Sequence, residues 1–485
     1  MSSKFVRFLI PCLLISFTLF TRFYRLDWGN GYYFHPDENN MTSSVLQMNS
    51  QNLNPHFFAY GQFPLYLTFL TTPRHDFNSI ALTLRFWSAI FSCLSVLFFY
   101  LVGKNIFNSQ ISAFIFTLLI IFTPGLIQLS HFGTTESILV FVFITNIYLS
   151  LKIFDKFKLK YLILASLISG IGLATKISAA IFVLPVLISL FPKIKKSILY
   201  LVITFVFFII FSPFNILDFS SFLSSIKYEI SIASGQIPVF YTHQFIGTIP
   251  YFFQFQKIFP YTNGIPVLIF SLFGLFFLPR KPKKYLLVII PSLIFFLYQG
   301  QLFVKWTRFM SPIFFVFPFL SVFFLRKIKI NFLKIILIII AISPGIFFLK
   351  TYFQTDIRVQ ASDWINQNIP SNSKIISESG NVINIPIKDS NLDIINFDFY
   401  QFDQNQLDNL IKTSDYIFVP SRRVFMNNFA QTQNYYSKLF SNQLGFSPIK
   451  YFSNNNSLFL NSEIAEETWS VFDNPTIRIF QKNNL

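Results

Sequence analysis

Apolar runs, each near the length that crosses a bilayer, recur along the first 350 residues and leave this chain few folds to choose from. A spanning helix needs about 20 mostly apolar residues. Runs of that kind lie near 5 to 21, 82 to 103, 110 to 129, 136 to 154, 197 to 216, 263 to 279, 285 to 303, 309 to 325 and 330 to 350. Residues 161 to 192 form one longer apolar stretch with Gly170, Gly172 and Lys176 in its middle, so two short helices meeting near Lys176 are expected there. The total is about eleven spans. In hydrocarbon the backbone must satisfy its own hydrogen bonds, and helices do so segment by segment. With 53% hydrophobic and 12% charged residues, composition excludes an ordinary soluble domain.

The acids divide the chain in two. Residues 1–350 carry 8 of the 21, namely Asp27, Asp37, Glu38, Asp76, Glu136, Asp155, Asp218 and Glu229, against 28 basic residues. The remainder, 351–485, has 13 acids, 10 basic residues and abundant Asn, Gln and Ser, and reads as a soluble domain. Within it, Lys374 to Glu378 and Asp415 to Pro420 have strand character, and Val359 to Asn368 a helical pattern closed by Pro370. The expected fold is an all-α polytopic membrane bundle with outer loops at 22–81 and 217–262, followed by a small α/β extracytoplasmic domain.

The net charge of +17 is a topology record rather than a nucleic-acid footprint, because the cations sit between apolar runs. A cytoplasmic N-terminus puts 18 of the 28 basic residues on one side, including Lys152 to Lys160, Lys193 to Lys196, Arg280 to Lys284 and Arg326 to Lys329. That satisfies the positive-inside rule and sends the C-terminal domain outside the cell membrane. Asp155 is then the only inner acid of the eight, so acid/base chemistry faces outward. The basic, apolar N-terminus ends in Thr21-Arg22-Phe23-Tyr24-Arg25, no small-residue cleavage site, and reads as an uncleaved first span. The aromatic stretch Phe57 to Leu67 is expected along the membrane interface.

Three groups of residues are candidates for chemistry. The first is Phe34-His35-Pro36-Asp37-Glu38, just after the first span. Adjacent carboxylates at a membrane surface shift each other's pKa if both are buried, so one faces a site and the other a structural hydrogen bond or solvent. Either Asp37 or Glu38 is a candidate general base; the bland alternative is a solvated turn at Pro36. The second is Glu136, costly so near hydrocarbon, with a helix N-terminal charge as its structural alternative. The third is the cations Arg85, Lys176, Lys305 and Arg308, suited to a lipid phosphate if they do not simply snorkel. Histidines 35, 56, 75, 131 and 243 show no ligand spacing, and a divalent cation gathered from His35, His131, His243 and the acids stays open. Neither a Walker loop nor a dinucleotide fingerprint occurs. The two cysteines, Cys12 and Cys93, lie in apolar runs.

The arrangement resembles the polytopic GT-C glycosyltransferases, in particular glycosyltransferase family 39, with its protein O-mannosyltransferases and aminoarabinose transferases. The matching residues are Arg25-Leu26, His35-Pro36-Asp37-Glu38, Tyr60 to Tyr66, Leu84-Arg85-Phe86, Ser130-His131-Phe132 leading to Glu136, Gly172 to Lys176 and Lys305 to Pro312. In the tail they are Ala361 to Ile365 and Glu467 to Pro475. The resemblance implies inverting transfer of a sugar from a polyprenyl-phosphate donor at the outer face, with Asp37 as general base. It implies that Glu136, and with it Glu38, serves the reacting groups, and that Arg85, Lys176, Lys305, Arg308 and His35 hold phosphate or sugar. The eukaryotic mannosyltransferases carry a β-trefoil domain with no counterpart in this sequence, so the acceptor stays open among lipid, glycan and protein. A reading of another class, a transporter or flippase for lipid-linked sugars, would use Lys176 at mid-membrane.

Overall fold

The computed structural model describes residues 3–483 apart from 280–283, 380–382, 388–390, 428, 455 and 459. Arg280, Lys281 and Lys283, part of the expected inner charge, lie outside the described residues. The chain opens with α1 (Ser3–Phe23), α2 (Pro36–Gln47) and α3 (Phe63–Thr71), then α4 (Phe77–Phe107), α5 (Gln110–Ile121) and α6 (Pro124–His131). After these come α7 (Glu136–Asp155), α8 (Leu159–Thr175), a 3₁₀ turn at Ile177–Val183, α9 (Leu184–Leu190) and α10 (Ile194–Phe211). Helices Phe219–Ser234, Ile265–Leu275, Leu286–Gly300, Val316–Leu325 and Asn331–Phe348 follow.

All eleven expected apolar segments are helical, but among the described residues only four helices are alone long and apolar enough to cross a membrane, or up to seven if each bent pair counts as one span. Local sequence sets the breaks. Asp76 caps α4 by accepting from Ser79 N at 2.9 Å, Asn108 ends it in the left-handed region (φ 49°), and Ser109 caps α5, which turns the pair into a hairpin. α5 and α6 bend by 55° at Thr123-Pro124. Arg22, buried at the end of α1, donates to the carbonyls of Ile121 (3.0 Å) and Ile120 (3.4 Å) at the break, where Ile120 O also accepts from Thr123 N at 3.2 Å. The long stretch breaks where Lys176 stands extended between α8 and the 3₁₀ turn.

α7 is buried on nearly all sides, whereas α10 and Asn331–Phe348 present rows of Ile, Leu, Val and Phe outward, as lipid-facing helices do. Each ion pair among the described residues of the bundle joins groups threaded to the same side; Asp155 meets Lys284 at 2.7 Å at the end opposite Asp37 and Glu136.

The C-terminal domain is a five-stranded mixed sheet in the order β2-β1-β3-β5-β4, with β1 Lys374–Ser379, β2 Asp393–Asp398, β3 Tyr416–Val419, β4 Phe446–Phe452 and β5 Ile477–Lys482. β1 runs parallel to β2 and β3, and β5 antiparallel to β3 and β4. Period-2 alternation feeds two cores: Ile376, Ile417, Val419 and Phe480 pack on one face, Ile375, Tyr416, Phe418 and Ile479 on the other. Helix Ile357–Asn368 covers the second face. The segment just before β5 does not belong to either core. Ala465, Trp469, Val471 and Phe472 join the main cluster of the membrane bundle instead.

Candidate active site

Pro36 at the first helical position and two acids in the first turn are helix-start signals, and α2 begins there rather than as a solvated turn. Successive helical residues diverge by about 100°. The two carboxylates accordingly part company. Glu38 is fully buried and accepts from Arg85 Nε at 2.9 Å, Arg85 Nη2 at 2.7 Å and the Gly133 amide at 2.7 Å. Arg85 also donates to the carbonyls of Leu26 (2.8 Å) and Trp28 (2.9 Å) and lies over the Trp28 ring. Every strong valence of this pair is spent on joining the first loop, α4 and Gly133. Glu38 and Arg85, expected at the reacting groups, occupy each other in a buried bridge between α2, the first loop, α4 and Gly133.

Asp37 turns the other way and meets Arg308 Nη1 at 2.7 Å. Arg308 stands in the 3₁₀ turn Thr307–Ile313, its guanidinium beside the rings of Trp306 and Phe309. Phe309 is shared: Lys176 Nζ lies 4.5 Å from its centroid and 5.2 Å from that of Tyr60. Lys176 faces Glu136, the first residue of α7, at 4.0 Å. Tyr60 in turn interacts with the Asp37 carboxylate. Two acids and two cations thus alternate around one aromatic floor. Burial pushes the Asp37 pKa up, but the Arg308 guanidinium and the Tyr60 hydroxyl outweigh it and hold the group below the usual carboxylate value. Glu136 Oε2 and Arg308 Nε are buried without a hydrogen-bond partner among the described residues. Buried polar atoms seldom stay unpaired, and their clustering marks a place built for a polar ligand.

Backbone proximity supports the arrangement. Gly61 donates its amide to Thr175 O at 2.9 Å, and a Cβ there would lie 2.0 Å from Ala174 O, so only glycine lets Tyr60 sit beside Lys176. Sequence reasoning quoted this segment without giving Tyr60 a role.

Two expected ligands are occupied elsewhere. Lys305 donates to Thr248 Oγ1 at 3.1 Å and Phe303 O at 2.9 Å, and burial lowers its pKa to about 8. His35 is wedged between Phe132 (4.7 Å) and Phe472 (4.3 Å), where burial drives its pKa down to about 3 and keeps it neutral. In this structure Lys305 is held by Thr248 and Phe303, and His35 by the rings of Phe132 and Phe472. The histidines do not converge either: His131 is bonded to Ile127 O and Tyr24 O, and no group of three metal-ligating side chains occurs among the described residues.

The C-terminal segment Glu466 to Asp473 reaches into this region. Glu466 Oε2 accepts from Thr307 N at 2.9 Å, directly before Arg308, and Phe472 packs on His35, two residues before Asp37. Asp473 accepts from Gln128 Nε2 at 3.1 Å and Tyr352 Oη at 3.0 Å. Arg358 donates to the carbonyls of Phe472 (3.0 Å) and Val471 and lies over Phe34. Both halves of the Asp37–Arg308 pair are therefore braced by one stretch of tail.

Residues 76–216 match the family described as dolichyl-phosphate-mannose-protein mannosyltransferase, a span that contains Arg85, Glu136 and Lys176. No curated protein matches the sequence. Among solved structures, ArnT from Cupriavidus metallidurans in the apo state superposes with a TM-score of 0.51 at 14% identity, over 77% of this chain and 67% of that one. The Archaeoglobus fulgidus oligosaccharyltransferase, tethered to an acceptor peptide containing the NVT sequon, gives 0.51 at 11% identity, over 99% and 89%. The chain has the GT-C glycosyltransferase fold: a polytopic membrane bundle with a C-terminal domain.

Proposed function

We propose that this GT-C chain moves a sugar from a polyprenyl-phosphate donor to an acceptor at the outer face of the cell membrane, with inversion at the anomeric carbon. The observation that carries the reading is the alternation of Asp37, Arg308, Glu136 and Lys176 around Phe309 and Tyr60. The family description of residues 76–216, with its lipid-phosphate sugar donor, supports the donor class.

In this mechanism the acceptor's nucleophilic oxygen or nitrogen attacks the anomeric carbon while Asp37 takes its proton. The bond from that carbon to the phosphate oxygen breaks, and the electron pair leaves with the polyprenyl phosphate. Arg308 and Lys176 hold the phosphate, where charge grows as the bond breaks. The leaving group is already good, so a base, positioning and cationic stabilisation suffice. Before the donor arrives, Arg308 neutralises Asp37; once phosphate draws the guanidinium, the carboxylate is free to accept a proton. Glu136 keeps Lys176 charged and aimed. A transporter would need a path across the bundle, and the pairing of Asp37 with Arg308 serves none.

The test is turnover of a polyprenyl-phosphate hexose by the purified chain. Asp37→Asn should lower acceptor-dependent release of polyprenyl phosphate by about 10²-fold or more. Near-normal turnover by a correctly inserted Asp37→Asn protein would sink the assignment.

A further inference from the structure

A second buried polar cluster lies where the C-terminal domain meets the segment 240–245. Arg423 follows β3 and is 6% exposed, its Nε 3.1 Å from Glu467 Oε1. Glu467 Oε2 accepts from Gln244 Nε2 at 3.2 Å. The Tyr400 ring rests on Phe240 with centroids 3.6 Å apart, and its hydroxyl feels the charge of both Arg423 and Glu467. Arg423 Nε is thus held by Glu467, and the guanidinium also engages the Tyr400 hydroxyl, while Nη1 completes no hydrogen bond among the described residues. A buried donor is left with capacity to spare beside a carboxylate and a hydroxyl. This patch joins the Asp37 site through partly exposed rings: the Arg423 guanidinium lies 5.9 Å from the Tyr241 centroid, Tyr241 lies 5.9 Å from Trp306, and Trp306 carries Arg308 at 4.9 Å.

We infer that Arg423, Glu467 and Tyr400, with the Tyr241 and Trp306 rings, form a saccharide subsite that takes a pyranose ring of the acceptor beside the transfer centre. The inference rests on the transferase reading only in assigning the sugar to the acceptor. Each hydroxyl of a sugar both donates and accepts, so vicinal hydroxyls match a guanidinium and a carboxylate set side by side. The apolar face of the ring suits an aromatic wall. An anionic ligand fits worse, because Glu467 already answers the Arg423 charge. The site offers no unpaired strand edge to a peptide backbone at these atoms.

The experiment uses the full chain in detergent, without donor, and the methyl glycosides of glucose, mannose, galactose and N-acetylglucosamine, with binding read by saturation-transfer NMR. At least one should bind saturably, and Tyr400→Phe and Arg423→Lys should each weaken it about tenfold, the scale of a lost hydrogen bond to a charged or buried partner. Tyr400→Phe keeps the stacking on Phe240, and an unchanged melting temperature would establish that it folds. Asp37→Asn should leave saccharide binding intact. Absence of saturable binding by all four glycosides, equal binding in both variants, or Arg423-dependent binding of a Ser/Thr peptide in place of saccharide would overturn the subsite. The two failures separate cleanly: normal turnover by Asp37→Asn defeats the transferase reading alone, whereas transfer that persists with saccharide binding blind to Tyr400 and Arg423 defeats the subsite alone.

Discussion

Two neighbouring acids do opposite work here, and substitution should expose the division. Arg85 and Glu38 are both fully buried and each is the other's main partner. Removing one charge of a buried pair strands the other, at a cost of about 3–5 kcal/mol. Arg85→Leu should therefore lower the melting temperature and the yield of folded protein in detergent well below those of Asp37→Asn, whose pair with Arg308 is partly open to solvent and whose main loss should be turnover. Equal thermal stability of the two variants would contradict the bridge. The sequence contains the adjacent pair but not its partition, because the deciding partners, Arg85 and Gly133, come from α4 and the turn before α7, 47 and 95 residues away. Tyr60 falls in the aromatic stretch expected along the membrane interface, and its place beside Asp37 and Lys176 is set by segments far from it in sequence. Arg308 and Lys176, expected from the sequence as phosphate ligands, each meet a carboxylate in the structure, Asp37 and Glu136.

Among the elements, the break at Lys176 and the first and third strands could be read from the chain, since apolar length and period-2 alternation are local properties. The docking of residues 466–473 could not, because Trp469, Val471 and Phe472 look like ordinary core residues of a soluble domain. This segment carries a titration. Burial raises the pKa of Asp473 from 3.8 to about 7, with the Gln128 and Tyr352 hydrogen bonds opposing, and burial raises Glu467 from 4.5 to about 7 as well. Between the unfolded and folded pKa values the folded state binds more protons than the unfolded one. The stability from these groups is thus fully present below about pH 4 and is lost as pH rises through about 7. Melting of the wild-type protein should fall by a few °C between pH 5 and pH 8, and Asp473→Asn should flatten that slope, as scanning fluorimetry across the range would measure. An unchanged slope would mean that Asp473 is already ionised in the folded protein.

For the whole molecule, the proposed orientation makes a direct demand. In a background without Cys12 and Cys93, a cysteine at exposed Asn405 in the C-terminal domain should react with a membrane-impermeant maleimide added to intact cells. A cysteine at exposed Lys195, in the first turn of α10, should react only after the cells are opened. The reverse pattern would invert the topology and move the proposed transfer to the cytoplasmic face. The brace that Glu466 and Phe472 place on the residues before Arg308 and Asp37 has a consequence in time. A ribosome makes residues 466–473 after every helix of the bundle, so a growing chain can insert those helices and still lack what braces Asp37 and Arg308. A chain stopped after residue 460 should insert and bind lipid yet give no measurable transfer, and supplying it with wild-type levels of donor should not help. In the proposed transferase, activity would thus wait until residues 466–473 are made and docked, so that consumption of donor could not begin on a bundle that lacks them.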